Sequence, residues 1–203
     1  MGPSSRSKAA PEEVQPGGRR PAPGDLGLVQ AFANTFWDLE RHRPEKLRTP
    51  QALASWLEGR GLLNRGARLN EGDLRRATEV REGIRSLLFA NNGSLPDHAA
   101  LERLNLALQG ACVCVRLNAG GWPQFFSPHN DLDGALGLIA ANVALAQLEG
   151  GFARLKACPG PDCGWAFYDY SRNQTGTWCS MSICGSRIKA RQYRRRQRGT
   201  HGA

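Results

Sequence analysis

The chain has 203 residues, 40% of them hydrophobic, which suffices for one large domain or for a medium domain with a small appendage. Its net charge of +9 is unevenly placed: residues 151–203 hold ten Lys/Arg against Asp162 and Asp169, a net of +8, so residues 1–150 are close to neutral. This asymmetry excludes a uniformly basic particle and points to one end that meets a polyanion, the plainer alternative being a solubilising basic tail.

Residues 1–24 are rich in Pro, Gly, Ser and charge and lack the apolar run of a secretory signal. They are expected to form a disordered tail. "DLGLVQAFANTFWDLERH" then spaces Leu28, Val29, Phe32, Phe36 and Leu39 as a helix does, with Asp25 as N-cap. "TPQALASWLEGRG" predicts a second helix with Thr49 as cap, Pro50 at the first helical position and Leu53, Trp56 and Leu57 inward. "NEGDLRRATEVREGIRSLLFANNG" predicts a longer helix, with Leu74, Ala77, Val80, Ile84, Leu87 and Leu88 on one face and Arg81 among them, ended by Asn91-Asn92-Gly93. A fourth follows in "LPDHAALERLNLALQG", through Leu101, Leu104, Leu106 and Leu108.

The period then changes. "ACVCVRLNAGGWPQFF" alternates Val113, Val115 and Leu117 before a Gly120-Gly121 turn, which predicts a hairpin. Cys112 and Cys114 are expected on one face of its first strand as small buried residues. Residues 131–149 predict the last helix of this part; three polar residues in its apolar run (Asn142, Gln147, Glu149) mark a buried helix rather than a membrane span. Gly150-Gly151 is the expected boundary between a domain over 25–150 and a module over 151–199.

Cys158, Cys163, Cys179 and Cys184 form C-x4-C, fifteen residues, and C-x4-C again. Two close thiol pairs joined by a hairpin-sized segment are what a tetrahedral, structural Zn²⁺ requires. "CPGPDC" suits a tight turn, and the second pair opens a helix whose first amides favour thiolates. A disulfide framework suits an oxidising compartment, whereas a chain without a leader is expected in the cytoplasm; the spacing also differs from that of ferredoxin clusters. Four thiolates around Zn²⁺ make a centre of charge −2, which Lys156, Arg172 and Arg187 are placed to offset. A helix through Cys184 to Arg198 aligns Arg187, Arg191, Arg194 and Arg198 in one stripe with Arg195 beside it, while Ile183, Ala190 and Tyr193 are expected to pack on the metal module. With Arg172 and Lys189 these cations form a candidate nucleic-acid surface, suited to a phosphate backbone.

The segment "RLKACPGPDCGWAFYDYSRNQTGTWCSMSICGSRIKARQYRRR" resembles the CGNR-type zinc finger of bacteria. Shared features are both cysteine pairs, "CGWAFYDYSRN", "WCSM" and a Cys-Gly-x-Arg signature followed by "KARQYRRR". "FANTFWD", "LASWLEGRGLL", "EVREGIRSLL" and "LERLNLAL" are similar, in order, to the ABATE domain that accompanies this finger. The resemblance covers roughly residues 26–198 and implies a stress-related transcriptional regulator whose finger contacts DNA and whose ABATE domain is a sensor or interaction module. Two departures stand out. Ser186 occupies the place of the signature Asn, and Gly176-Thr177 that of a basic pair. Asn34, Thr35 and Arg81 match family motif positions and are candidates for holding a small acidic ligand, the alternative being that Arg81 pairs with a neighbouring carboxylate and Asn34 with backbone.

The sequence therefore predicts a mainly α N-terminal domain with a small β-hairpin, then a four-cysteine zinc module ending in a basic helix. The function it implies is zinc-dependent binding of double-stranded DNA in transcriptional regulation, with a small acidic ligand or a protein as the N-terminal domain's partner and no membrane partner. The alternatives are RNA or ribosome binding through Trp165, Phe167, Tyr168 and Tyr170, and a protein–protein adaptor stapled by zinc. No base and nucleophile pair or carboxylate cluster marks an enzyme.

Overall fold

The computed structural model describes residues 15–37, 45–161 and 163–191. The second to fifth α-helices each begin where a side chain accepts from their first amides, whereas Asp25, expected to cap the first, makes no such bond. α1 spans Leu26–Ala33 and α2 spans Pro50–Glu58, the latter capped by Thr49 Oγ1 on the Ala52 amide. α3 (Glu71–Ala90) opens with a reciprocal capping box between Asn70 and Asp73. α4 (His98–Ala107) and α5 (Leu132–Leu148) start at Asp97 and Asp131. α4 lies close on α3 because Gly83 has no side chain; a Cβ there would fall 2.6 Å from Leu104 Cβ.

Two antiparallel strand pairs complete the architecture: β1 (Cys114–Leu117) with β2 (Pro123–Phe126), and β3 (Leu155–Ala157) with β4 (Ala166–Tyr168). In the second pair Ala157 faces Ala166 and Leu155 faces Tyr168. Side chains alternate along β4. Ala166 and Tyr168 join the helical core of Val29, Phe32, Leu57, Val80, Leu88 and Ile139. Trp165 and Phe167 join a second core made with the four cysteines. The apolar core thus runs across residue 150, and one short strand serves two cores.

Several expectations change. The first helix, expected to run through Leu39, ends at Ala33, and Leu39 itself lies outside the described residues. The helix's last carbonyl, Ala33 O, is taken by a buried arginine, and Asn34 turns its side chain to Ala166, donating to the carbonyl (2.9 Å) and accepting from the amide (2.7 Å). Residues 15–24, expected as part of a tail, are built into the structure. Gln15 is buried and accepts from Trp165 Nε1 and Gln30 Nε2, while Gln30 accepts from the Ala22 amide. Composition misses this because the segment is ordered by polar contacts to distant residues, not by apolar bulk. Cys112 lies before β1 and is exposed, and Cys114 is half-buried. Only one face of the two-stranded hairpin has a helix behind it, so Val115, Leu117 and Trp122 are exposed as well. Leu106 is also exposed. No described helix is long and apolar enough to cross a membrane.

Asn34→Ala removes the side chain that accepts from the Ala166 amide. It should destabilise the chain by about 1–3 kcal/mol, read as a lower urea midpoint with an unchanged m-value.

Candidate metal centre

The first thiol pair sits on a knuckle between β3 and β4. The Cys158 amide donates to Trp165 O, the Gly164 amide returns to Cys158 O, and the Cys163 amide closes on Gly160 O. Gly160 is required by close approach: a Cβ would lie 3.2 Å from Cys163 Cβ and 3.4 Å from Cys184 Sγ. The second knuckle is a π-helical turn, Met181–Gly185, that runs into α-helix over 186–191. Ser180 caps it, its carbonyl accepting from Cys184 and Gly185 and its hydroxyl from the Ile183 amide. Ser186, in place of the expected Asn, makes one side-chain bond, to Met181 O at 3.0 Å.

These knuckles bring all four sulfurs within 4.8 Å of one another in a buried cluster. Cys179 Sγ lies 3.6 Å from the sulfurs of both Cys163 and Cys184. A tetrahedron with Zn–S bonds near 2.3 Å places its sulfurs about 3.8 Å apart, so the donor set fits zinc. Protonation points the same way. Hydrogen bonds from Cys163 and Cys179 pull the Cys158 thiol down to about 2. Their counterpart contacts with Cys158, followed by burial, push Cys163 and Cys179 upward, and burial raises Cys184. Thiolates this close repel one another, and a divalent cation is what allows all four to ionise. When bound, zinc would cross-link the two knuckles and leave no open position for chemistry.

The supports of this centre come from the N-terminal part. Arg85 is 2% exposed; it donates to Glu82 (2.9 Å), Gly164 O (2.6 Å) and Ala33 O (2.5 Å), and also to Phe36 O. Burial draws its guanidinium below the ordinary value, against the field of Glu82. Asn91 Nδ2 donates to Phe152 O and Leu155 O, and Asn92 Nδ2 to Ala157 O and Thr177 O. Arg19 crosses the second knuckle, donating to Trp178 O and Cys179 O while lying over the Phe167 ring. Neither Arg85 nor Arg19 was singled out in the sequence, and Asn91 and Asn92 were read only as a helix stop. Arg85 falls on the buried face of a helix whose period was evident, and that placement was the available signal.

Lys156 does not serve the sulfurs. It is buried with Asp169 at 3.0 Å and donates to Gln174 O and Gly176 O. Despite its burial, hydrogen bonds from Ser171, Lys156 and Gly176 bring Asp169 down to about 2. The stability from this pair is therefore full above the ordinary carboxylate range, near pH 4, and is lost as the pH falls through about 2.

Asn34, Thr35 and Arg81 are all buried. Arg81 pairs with both oxygens of Glu45 (2.7 and 2.8 Å), with Glu82 and with Thr35 Oγ1. Burial opposes its charge, but the Glu45 hydrogen bond and the field of Glu82 outweigh it and the net direction is upward. Glu45 supplies the carboxylate that an acidic ligand would have brought. Of the candidate cations, Arg172, Arg187, Lys189 and Arg191 are exposed; Arg194, Arg195 and Arg198 lie outside the described residues. Ile183 and Ala190, expected to pack on the metal module, are exposed, because the seam is made instead by Cys184 and Gly185; Tyr193 lies outside the described residues.

Comparison with known families gives two matches. The ABATE family, described as "Putative stress-induced transcription regulator", matches residues 15–151. The CGNR zinc finger matches residues 154–197. No curated protein matches the chain.

The protein as isolated should carry one zinc per chain, and Cys158→Ser should lose most of it, by elemental analysis. Since structural zinc contributes about 10 kcal/mol or more to small modules, chelation should abolish the near-UV circular dichroism of Trp165 and Trp178.

Proposed function

From the premise that this chain belongs to the ABATE family and ends in a CGNR zinc finger, we propose that it is a zinc-dependent, DNA-binding regulator of transcription. One observation carries the reading. The buried ligand Cys184 is followed within seven residues by three exposed cations, Arg187, Lys189 and Arg191, on a helix that starts at the metal. Arg187 and Arg191 are one helical turn apart and share a face. A guanidinium pair on a metal-fixed helix is suited to neighbouring phosphates.

The metal in this reading is structural, and the chain is assigned no catalytic step. RNA recognition by stacking has less support. Trp165, Phe167 and Tyr168 are buried in the two cores, and Tyr170 is the one member of that aromatic set left exposed. The N-terminal domain acts as the interaction module, joined to the finger through Arg85 and Asn34.

The test is duplex affinity against salt for the zinc-loaded chain. We expect a slope corresponding to about three to five phosphates. Changing Arg187 and Arg191 to Gln should lower that slope by about two and weaken binding about tenfold or more on every sequence, with zinc content unchanged. An Arg187→Gln/Arg191→Gln protein that binds as the parent does would remove the helix from the interface.

A further inference from the structure

The loop between β4 and the second knuckle is built with more care than a connector needs. Its base is held by three charged side chains. Arg154 donates to Asp169 O and Ser171 O. Lys156 reaches Asp169, Gln174 O and Gly176 O. Asp169 accepts from the Ser171 and Gly176 amides. Lys156 and Asp169 are 5% and 1% exposed, so an ion pair has been taken out of water and spent on the backbone of Ser171, Gln174 and Gly176. Well-packed apolar residues could stabilise such a site as well, whereas an ion pair of this kind dictates one loop geometry.

What that geometry presents is polar. Tyr170 through Thr175 are all exposed. The side chains of Arg172, Asn173 and Gln174 make no hydrogen bond or ion pair among the described residues. Gln174 is held at φ 54°, and no other non-glycine among the described residues has a positive φ. Such a conformation is unfavourable for a residue with a Cβ and would be easier for glycine. The chain nevertheless places there a long, exposed amide that makes no hydrogen bond among the described residues. The loop is also indexed to the rest of the site. Asn92 of α3 holds Thr177 O just after it, Cys179 follows two residues later, and Arg20 lies over the Tyr170 ring at its start.

Arg, Asn and Gln are the side chains that grip base edges in pairs of hydrogen bonds: Arg on guanine, Asn or Gln on adenine. We propose that Arg172, Asn173 and Gln174 read base edges of duplex DNA, while the helix over 186–191 holds phosphates. The proposal rests on the DNA-binding reading above and assigns sequence choice to an element other than the cationic helix. Phosphate contacts position a protein; base contacts specify the site.

The experiment uses the full, zinc-loaded chain. A preferred duplex is selected from a randomised pool, and affinities are measured for it and for a scrambled duplex. Asn173→Ala and Gln174→Gly should each lower the ratio of preferred to scrambled affinity about 5- to 100-fold, with zinc content and salt slope unchanged. Gln174→Gly should keep or raise thermal stability, which separates reading from folding. Arg187→Gln/Arg191→Gln should do the reverse, weakening both duplexes alike. If the loop variants keep the parental ratio, if the parent binds duplexes without preference, or if it prefers single-stranded RNA, the loop does not read DNA. The first two of these results leave duplex binding itself intact. A parent that binds no duplex overturns both readings together.

Discussion

A guanidinium sealed from water is the constraint around which this protein is arranged. Arg85 cannot shed its proton, and a buried, unpaired cation would cost several kcal/mol. Its donors therefore need acceptors in fixed places. Glu82 comes from the preceding turn of the same helix, Ala33 from the end of α1, Phe36 from the turn after it, and Gly164 from the turn that carries Cys163. Those acceptors stop the first helix, set its distance from α3 and fasten the metal knuckle to both. Arg81, one turn earlier, repeats the device with Glu45.

The metal centre and the helices are consequently one mechanical object. β4 and the residue before it alternate Trp165 and Phe167 toward the sulfurs and Ala166 and Tyr168 toward the helices. Asn34, Gln30 and Gln15 stitch its backbone and the Trp165 indole to the N-terminal segment. A binding event on the N-terminal part thus has a direct route to the finger, through hydrogen bonds to the main chain beside a metal ligand. Two elements leave this object toward solvent, the clamped loop after Asp169 and the helix after Cys184. A metal that orders both knuckles orders both elements.

The sequence made some of this legible and hid the rest for physical reasons. Four cysteines in two spaced pairs are a local pattern, and the structure gathers them. The start at Thr49 was legible because a cap and its amide lie within three residues, whereas Asp25, read as a cap in the same way, makes no side-chain cap bond. Asn91 and Asn92 read as a helix stop and do end α3, but their amides also hold four carbonyls of the module more than sixty residues on. Contacts of that span have no period. The same is true of Arg19 on the Cys179 carbonyl, and of β3, whose three residues are too few to show alternation. The hairpin misled in the other direction, since alternation promises two environments and one face of β1 meets only solvent.

The central claim is that metal binding creates the nucleic-acid surface. The most direct measurement is duplex affinity as zinc is titrated into the thiol-reduced, metal-free chain. The account predicts that binding appears with zinc and saturates at one equivalent, in step with the near-UV signal of Trp165 and Trp178. Equal affinity with and without zinc would contradict it, and would make the basic end a tail that binds by charge alone.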